Sequence, residues 1–506
     1  MSPSTSPSTS PDPRPDAPVA SPLRKVAVFA ATGLLAACTE GPARPNVLLV
    51  TIDTLRADRV GAYGYEHSTT PHLDALAQSG VLFERAYSHA PFTAPAHASL
   101  LTSLHPQSHG VLFWNQLLTT DAPTFQELFK ARGYGTAAFH NHPGLIPTGI
   151  TRGFDEVQAR YFEPWQPTVA GFFDWSDRQP KGEPFAVWLH LWDAHRPYGF
   201  RDWRAEFVRP HVERAEADLV LPYAERGFLE PRDRRIGRTE AFYNVRPDER
   251  AGTFDVGGSA RTLEAADWQY IVDRYDASVR YADEGVGALI AGLTERGELE
   301  NTIVVVTSDH GEALMERDPV WFTHDPFLYD EVLRVPLILR VPGALHAGTR
   351  VAGLVRGVDV LPTLLELADL PLPRKVVLQG RSMLPMVAGT ETGGRTLFGG
   401  TQTRSAKETT RRAGEDDSWL EYRQVFTDGA LKVIHDLETD TWSAFDLAAD
   451  PGERTNLWAN GVDGKTPAAA LRTSLLEARK ALPVAGQLTV PLSAQQTQTL
   501  EQLGYL

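Results

Sequence analysis

Apolar runs alternate along this chain with stretches in which apolar residues return every three or four positions, and the alternation begins near residue 46. Asn46 to Ile52 (NVLLVTI) reads as a buried strand, and Pro184 to Leu191 and Thr302 to Thr307 (TIVVVT) predict further strands. Thr70 to Gly80 (TPHLDALAQSG) reads as a helix with a glycine at its end. Asp267 to Gly297 predicts a long helix with Ile271, Tyr275, Val279 and Ala282 on one face. Strands separated by helices in this way predict an α/β domain with a large, mostly parallel central sheet flanked by helices.

The pattern breaks twice. Residues 198–262, crowded with Arg, Asp and Pro, read as an insertion beside the active face. Beyond Pro385 the chain turns polar from Thr390 to Ser418. Short strand-like pieces follow at Gln424 to Thr427, Leu431 to His435 and Ser443 to Leu447, and they predict a smaller antiparallel sheet. Leu492 to Leu506 reads as a terminal helix. At 506 residues the chain exceeds what one core usually serves. Two units are therefore expected, 46–385 and 386–506.

Composition adds a compartment and removes a partner. With 42% hydrophobic and 22% charged residues the chain is ordinary for a globular protein. A net charge of -15 without a basic stripe argues against nucleic acid as a partner. An anionic substrate stays open, because a bound cation reverses the field locally. The single cysteine, Cys38, excludes a disulfide within the chain. Arg24 and Lys25 precede an apolar run, Val26 to Ala37, too short to span a bilayer but suited to a signal-peptide core. Its ending, Leu35-Ala36-Ala37-Cys38, resembles the bacterial lipobox, which implies cleavage before Cys38 and acylation of it. Residues 1–37 are then a disordered start plus signal peptide, and 38–45 a linker. The expected location is the cell envelope, outer membrane or periplasm-facing, with the lipid anchor as the only membrane contact.

Candidate chemistry gathers at strand ends. Asp53 follows one predicted strand, and Asp309 with His310 follows another. In a parallel sheet the carboxyl ends converge on one edge, where carboxylates and an imidazole can hold a divalent cation. Either pair alone would read as a turn cap. Between them, in Pro91-Phe92-Thr93-Ala94-Pro95-Ala96-His97, Thr93 opens a helical pattern. A hydroxyl there meets unpaired backbone amides and the positive end of the helix dipole, both of which suit an oxyanion. His97 lies one turn on, on the same face.

These motifs, in order, resemble the sulfatase family of the alkaline phosphatase superfamily. The likeness rests on NVLLVTIDTLRADRVGAYGY, TTPHLDALAQSGVLFERAYSHAPFTAPAHASLLTSLHPQSHGV, FAVWLHLWDAHRPY and VVVTSDHGEALMERDPVWFTHDPFLYDEVLRVPLILRVPG. VDVLPTLLELADLPLP, GRSMLP, AFDLAADPGERTNL and the ending LEQLGYL extend it over most of 46–506. The resemblance implies an alkaline-phosphatase-like sandwich with a C-terminal antiparallel subdomain. It implies Asp53, Asp309 and His310 as metal ligands with Thr93 as the metal-bound nucleophile. It also implies His97 as the basic residue beside the nucleophile, His195 at the leaving group and His324 as a base contacting the substrate. His140 and His142 fall where many sulfatases carry a lysine and a histidine.

Three departures decide the chemistry expected. Sulfatases oxidise a Cys or Ser within Cys-x-Pro-x-Arg to formylglycine, whereas this chain reads Thr-Ala-Pro-Ala-His, and threonine cannot become that aldehyde. Thr54 stands where many sulfatases have a second aspartate, and Asp309-His310 replaces Asp-Asn. One divalent ion is expected, Mn, Zn or Ca, with imidazole favouring the first two. Formylglycine releases sulfate through its second hydroxyl, but a threonine adduct must be attacked at its central atom, which is easier at phosphorus than at sulfur. Related phosphoglycerol and phosphoethanolamine transferases use a metal-bound threonine in this way. The expected function is a metal-dependent hydrolase of sulfate or phosphate-type esters, phosphoryl and phosphonate favoured, on a small-molecule, glycan or lipid substrate. An authentic sulfuric ester hydrolase of arylsulfatase type is the alternative, and a non-catalytic surface protein binding a sulfated glycan ranks third. Loops around Trp114 and Trp165 are expected to shape the substrate site.

Overall fold

A computed structural model of the protein describes residues 44–198, 246–401, 423–458 and 466–489, short gaps within these ranges excepted, and a few positions beyond. The leader with Cys38, residues 199–245 of the insertion and nearly all of the expected terminal helix lie outside the described residues. Nine strands form the central sheet: β1 (Asn46–Ile52), β2 (Val81–Tyr87), β3 (Gly135–His140), β4 (Glu156–Ala159), β5 (Phe185–Leu191), β6 (Thr302–Ser308), β7 (Arg334–Val335), β8 (Leu337–Arg340) and β9 (Thr349–Arg356). Their order is β9-β2-β8-β6-β1-β5-β3-β4, with the short β7 also on β2. The β6–β1–β5–β3–β4 run and the β2–β9 pair are parallel, while β7 and β8 run antiparallel to their neighbours. The expected α/β sandwich, with its mostly parallel sheet, is what the chain forms.

Strand alternation divides the interior in two. Val47, Leu49, Ala186, Trp188, Ile303 and Val305 point to one face, where they meet α2 (Thr93–Thr102) and α5 (Val360–Leu367). Leu48, Val50, Val187, Leu189, Val304 and Val306 point to the other, packed on α1 (Pro71–Gln78), α3 (Trp165–Ser176) and α4 (Ala265–Glu295). Every residue of β1, β5 and β6 is buried, which is why these strands read as near-continuous apolar runs. The long helix expected at Asp267 to Gly297 begins and ends two residues earlier, with Tyr275, Val279 and Ala282 in the core. Part of the insertion is regular: 246–247, 253–256 and 259–262 form a three-stranded ribbon.

A separate antiparallel sheet follows, in the order β10 (Leu397–Thr401), β11 (Arg423–Thr427), β12 (Leu431–Asp436), β13 (Thr441–Asp446). The last three match the expected strands to within two residues, and β10 was not foreseen. Leu397, Val425, Ile434 and Phe445 pack against Tyr87, Leu333 and Leu354 on the side of the central sheet. Their alternates Phe398, Phe426, Val433 and Ala444 are covered by α6 (Pro467–Ala481) through Ala468, Leu471 and Leu475. Lys432, wholly buried in β12, pairs with Asp330 and, at 3.0 Å, with Glu453.

Candidate active site

Three adjacent strands deliver the first side chains. In register, Thr51 lies opposite Thr307 and His190, and Ile52 opposite Ser308 and Leu191. One step further, Asp53 and Asp309 leave the sheet together at its carboxyl edge. Thr54 then turns the chain in the left-handed region, at φ 53. That conformation costs a β-branched residue about 1–3 kcal/mol, and three bonds hold it here. Its amide donates to Asp309 Oδ1 at 3.2 Å, its hydroxyl to the Ala194 carbonyl at 3.1 Å, and its carbonyl accepts from the Tyr275 hydroxyl at 2.7 Å. The Thr54 side chain therefore faces away from the two carboxylates and adds nothing to them.

Asp309 Oδ1 is further occupied by the His310 amide at 2.9 Å. Asp309 Oδ2 and Asp53 Oδ1 are buried with no hydrogen-bond partner among the described residues. His310 commits Nδ1 to the Gly311 carbonyl at 2.9 Å, so that nitrogen carries the proton and Nε2 presents a lone pair. Nε2 lies 3.2 Å from Thr93 Oγ1 and 3.4 Å from Asp309 Oδ2. Asp53, Asp309 and His310 each offer one atom within 4.8 Å of the others. Burial, and then the neighbouring Asp309, pushes the Asp53 carboxyl well above the usual range. Unsatisfied carboxylate oxygens beside an imidazole turned lone-pair-first fit a divalent cation, and they fit poorly with anything neutral.

Thr93 is the first residue of α2, preceded by an extended Phe92. No side chain caps this helix, so the Thr93 hydroxyl is not spent on a backbone amide. Small residues (Ala94, Ala96, Ala98) let the wholly buried helix lie close to the sheet. His97 turns inward: Nδ1 donates to the Thr93 carbonyl at 2.8 Å and Nε2 meets Thr51 Oγ1 at 3.0 Å. Burial, then His190, lowers its pKa to about 3, which makes it a neutral hydrogen-bonding group rather than a cation. His195 stacks on Trp192, with ring centres 3.9 Å apart, and its Nδ1 faces the Arg196 carbonyl at 2.6 Å. His324 lies 4.3 Å from the His310 ring and 5.9 Å from that of His195, its Nδ1 on the Pro91 carbonyl at 2.8 Å.

The structure thus gathers Asp53, Thr93, His97, Asp309 and His310, with His195 and His324 beside them. His142 stacks on Trp114 and approaches His195, whereas His140 lies over Trp188 with Nδ1 toward the His142 carbonyl. Trp114 also packs on Phe92, next to Thr93. Trp165 packs against Tyr281 of α4, with its amide on Asp193 Oδ1 at 3.0 Å. One residue at the centre escaped the sequence reading: His190 of β5, whose Nε2 is 3.2 Å from Asp53 Oδ2. Its signal was a histidine inside a wholly apolar strand.

Residues 45–370 match the family model for sulfatases. The chain belongs to the sulfatase family. An N-acetylglucosamine-6-O-sulfatase of Bacteroides thetaiotaomicron is 26% identical over 486 residues, covering 84% of this chain and 85% of that one. An ulvan-active sulfatase of Formosa agariphila is 29% identical over 353 residues, 66% of this chain and 63% of its own. A solved phosphonate monoester hydrolase of Agrobacterium radiobacter superposes with a TM-score of 0.64 at 22% identity, over 89% of this chain and all of that one. A solved complex with the substrate D-glucosamine-2-N,6-O-disulfate gives 0.65 at 21%, over 86% of this chain and 98% of that one. At such identities the solved structures speak for the fold alone. Within this sulfatase-family hydrolase, the residues just described occupy the carboxyl edge of the sheet where α/β proteins bind their ligands.

Proposed function

We propose that this sulfatase-family hydrolase cleaves phosphate-type esters, phosphoryl or phosphonate, with Thr93 as nucleophile beside one divalent cation. The observation that carries the reading is the Thr93 hydroxyl, uncapped at a helix N-terminus and 3.2 Å from His310 Nε2. Asp53, Asp309 and His310 would hold the cation, with Thr93 next to them. Such an ion supplies a Lewis acid, which eases loss of the hydroxyl proton and draws charge from a non-bridging ester oxygen. Thr93 Oγ1 attacks phosphorus in line, and the bond to the leaving oxygen breaks. Water then attacks the same phosphorus, the bond to Oγ1 breaks, and the hydroxyl is restored.

The histidines divide the proton traffic. His195 and His324 each face a backbone carbonyl through Nδ1, so that nitrogen keeps its hydrogen. Burial holds both well below the usual histidine range. An anionic ester arriving between them raises their proton affinity. His195 then carries the proton that the leaving oxygen needs.

A sulfate ester is the second reading, supported by the sulfatases at 26–29% identity. Threonine argues against it, since release then requires attack at sulfur. Aryl phosphodiesters and phosphonates should outpace the matching aryl sulfates, and a clear preference for sulfates would reverse the substrate assignment. Thr93→Ala should lower turnover by about a thousandfold or more, with metal content and melting temperature preserved. Unimpaired turnover in that variant would remove the nucleophile.

We also propose acylation of Cys38 and anchoring in the cell envelope. The charged pair, the apolar run and Leu35-Ala36-Ala37 before the cysteine support it. No helix among the described residues is long and apolar enough to cross a membrane. Cys38→Ala should release the protein from membranes, and unchanged partitioning would count against the anchor.

A further inference from the structure

The described chain continues past its last helix. α6 stops at Ala481, where Pro483 holds Leu482 extended (φ -75, ψ 129) and bars another turn. From there the chain crosses to the loop that follows α2. Ser108 Oγ donates to the Pro483 carbonyl at 2.7 Å, and the Ala485 amide donates to the Gln107 carbonyl at 2.7 Å. Further on, Leu488–Thr489 pairs antiparallel with Gln116–Leu117. Gly110 lies where the two segments meet: its φ is 80, and a Cβ there would sit 3.4 Å from the Ala485 Cβ.

The loop so tied carries aromatic rings to the nucleophile. Phe113 stacks on Phe92 with ring centres 5.5 Å apart, and Trp114 packs on the same ring at 4.5 Å. Trp114 also stacks on His142 at 4.7 Å. Phe92 directly precedes Thr93, and its ring lies 6.2 Å from that of His324. The ends of the loop have their own anchors: His109 Nε2 meets Ser99 Oγ at 3.0 Å, and the Leu118 amide donates to the Thr148 carbonyl at 2.8 Å. Between them, the Leu112 amide on Gln116 Oε1 and the Gln116 amide on the Phe113 carbonyl shape the loop from within. Internal bonds fix a shape without fixing a place, and the crossing segment supplies partners from outside. A two-residue strand pair is marginal alone, so it acts together with the ties at Gln107 and Ser108. α2 has separate support from Ala94, Ala98, Leu100 and Leu101 in the core.

We infer that Pro483 to Thr489 is a positioning brace. It fixes the loop bearing Phe113 and Trp114, and with that loop the wall that grips the ester beside Thr93. Because α2 stands without it, the brace governs how the substrate is held rather than how the hydroxyl reacts. Loss of such a grip raises KM and spares kcat. What the wall grips rests on the ester-hydrolase reading above, whereas the brace itself can be tested without substrate.

Two variants make the test: full-length Ala485→Pro, which deletes one tie, and a chain ended after Leu482, which deletes the brace. Hydrogen exchange at residues 110–118 should quicken by about tenfold or more in the shortened chain, and by less in Ala485→Pro. Exchange in the C-terminal sheet and Mn²⁺ uptake should match the wild type in both. KM for bis(4-nitrophenyl) phosphate, or for 4-nitrophenyl sulfate where the wild type prefers it, should rise by about tenfold in the shortened chain, with kcat within about twofold. A loop that exchanges as slowly as in the wild type overturns the brace. A loosened loop with unchanged KM, or a loss in kcat alone, overturns its hold on the ester. Ala485→Pro keeps the whole chain and decides the matter where the shortened chain does not fold. A wild type idle on both esters defeats the ester-hydrolase reading, and the grip with it, whatever the loop does.

Discussion

Beneath the C-terminal sheet, Asp330 and Glu453 share the ammonium of Lys432, which also lies over the Tyr87 ring. At the carboxyl edge of the main sheet, Asp53 and Asp309 share no such group. Among the described residues their ion-pair neighbours are His97, His190 and His310, and burial lowers His97 to about 3 and His190 to about 4. Both places bury two carboxylates. The first is neutralised by the chain itself and needs nothing further, which suits a joint between two sheets. The second has no lysine or arginine beside it among the described residues: burial pushes the Asp53 carboxyl up, while His310, His97 and His190 hold Asp309 below the usual range.

The contrast makes unequal forecasts for two single substitutions. Lys432→Met strands Asp330 and Glu453 and should cost about 3–5 kcal/mol, read from chemical denaturation of the metal-free protein. Asp309→Asn keeps an oxygen for the Thr54 and His310 amides and removes a charge that neighbouring histidines only partly favour, so the metal-free chain should lose far less than it does in Lys432→Met. Its cation affinity should nevertheless fall by more than about 100-fold. Equal destabilisation by both changes would collapse the distinction.

A smaller effect comes from adding the ion. Mn²⁺ or Zn²⁺ at about a hundred times its Kd should stabilise the wild type by about 2.7 kcal/mol. Lys432→Met should keep that increment and Asp309→Asn should lose it. An increment retained by Asp309→Asn would place the ion elsewhere.

The last is a pH effect at the joint. Burial, opposed by Lys432, raises the Glu453 carboxyl to about 7, from 4.5 in an unperturbed side chain. The folded state therefore binds this proton more tightly than the unfolded one. Its contribution is complete below about pH 4.5 and lost as pH rises through 7. Glu453→Gln should show a correspondingly flatter pH profile than the wild type, and parallel profiles would remove Glu453 as the cause.

What the sequence disclosed follows the same physical divide. β1, β5 and β6 could be read directly, because strands buried on both faces must be apolar along their whole length. Asp53, Asp309 and His310 could be read as well, since each stands next to a strand end. β10 could not. Its LFGGT contains two glycines, at the first of which a side chain would strike the backbone: a Cβ at Gly399 would come within 2.6 Å of the His89 carbonyl, and the Gly400 amide donates to that same oxygen. Close approach replaced hydrophobic alternation as its signature. His190 was missed because its meaning depends on lateral register with Thr51, 139 residues away in the chain.

Position 93 has one more consequence, for how such enzymes change. Its side chain makes no capping bond, and α2 is held by Ala94, Ala98, Leu100 and Leu101 in the core. The fold therefore exerts little selection on which small hydroxyl or thiol side chain stands there. Threonine, serine or cysteine could be exchanged at that helix start with the scaffold nearly indifferent, so that the reaction, and not stability, decides which one a lineage keeps.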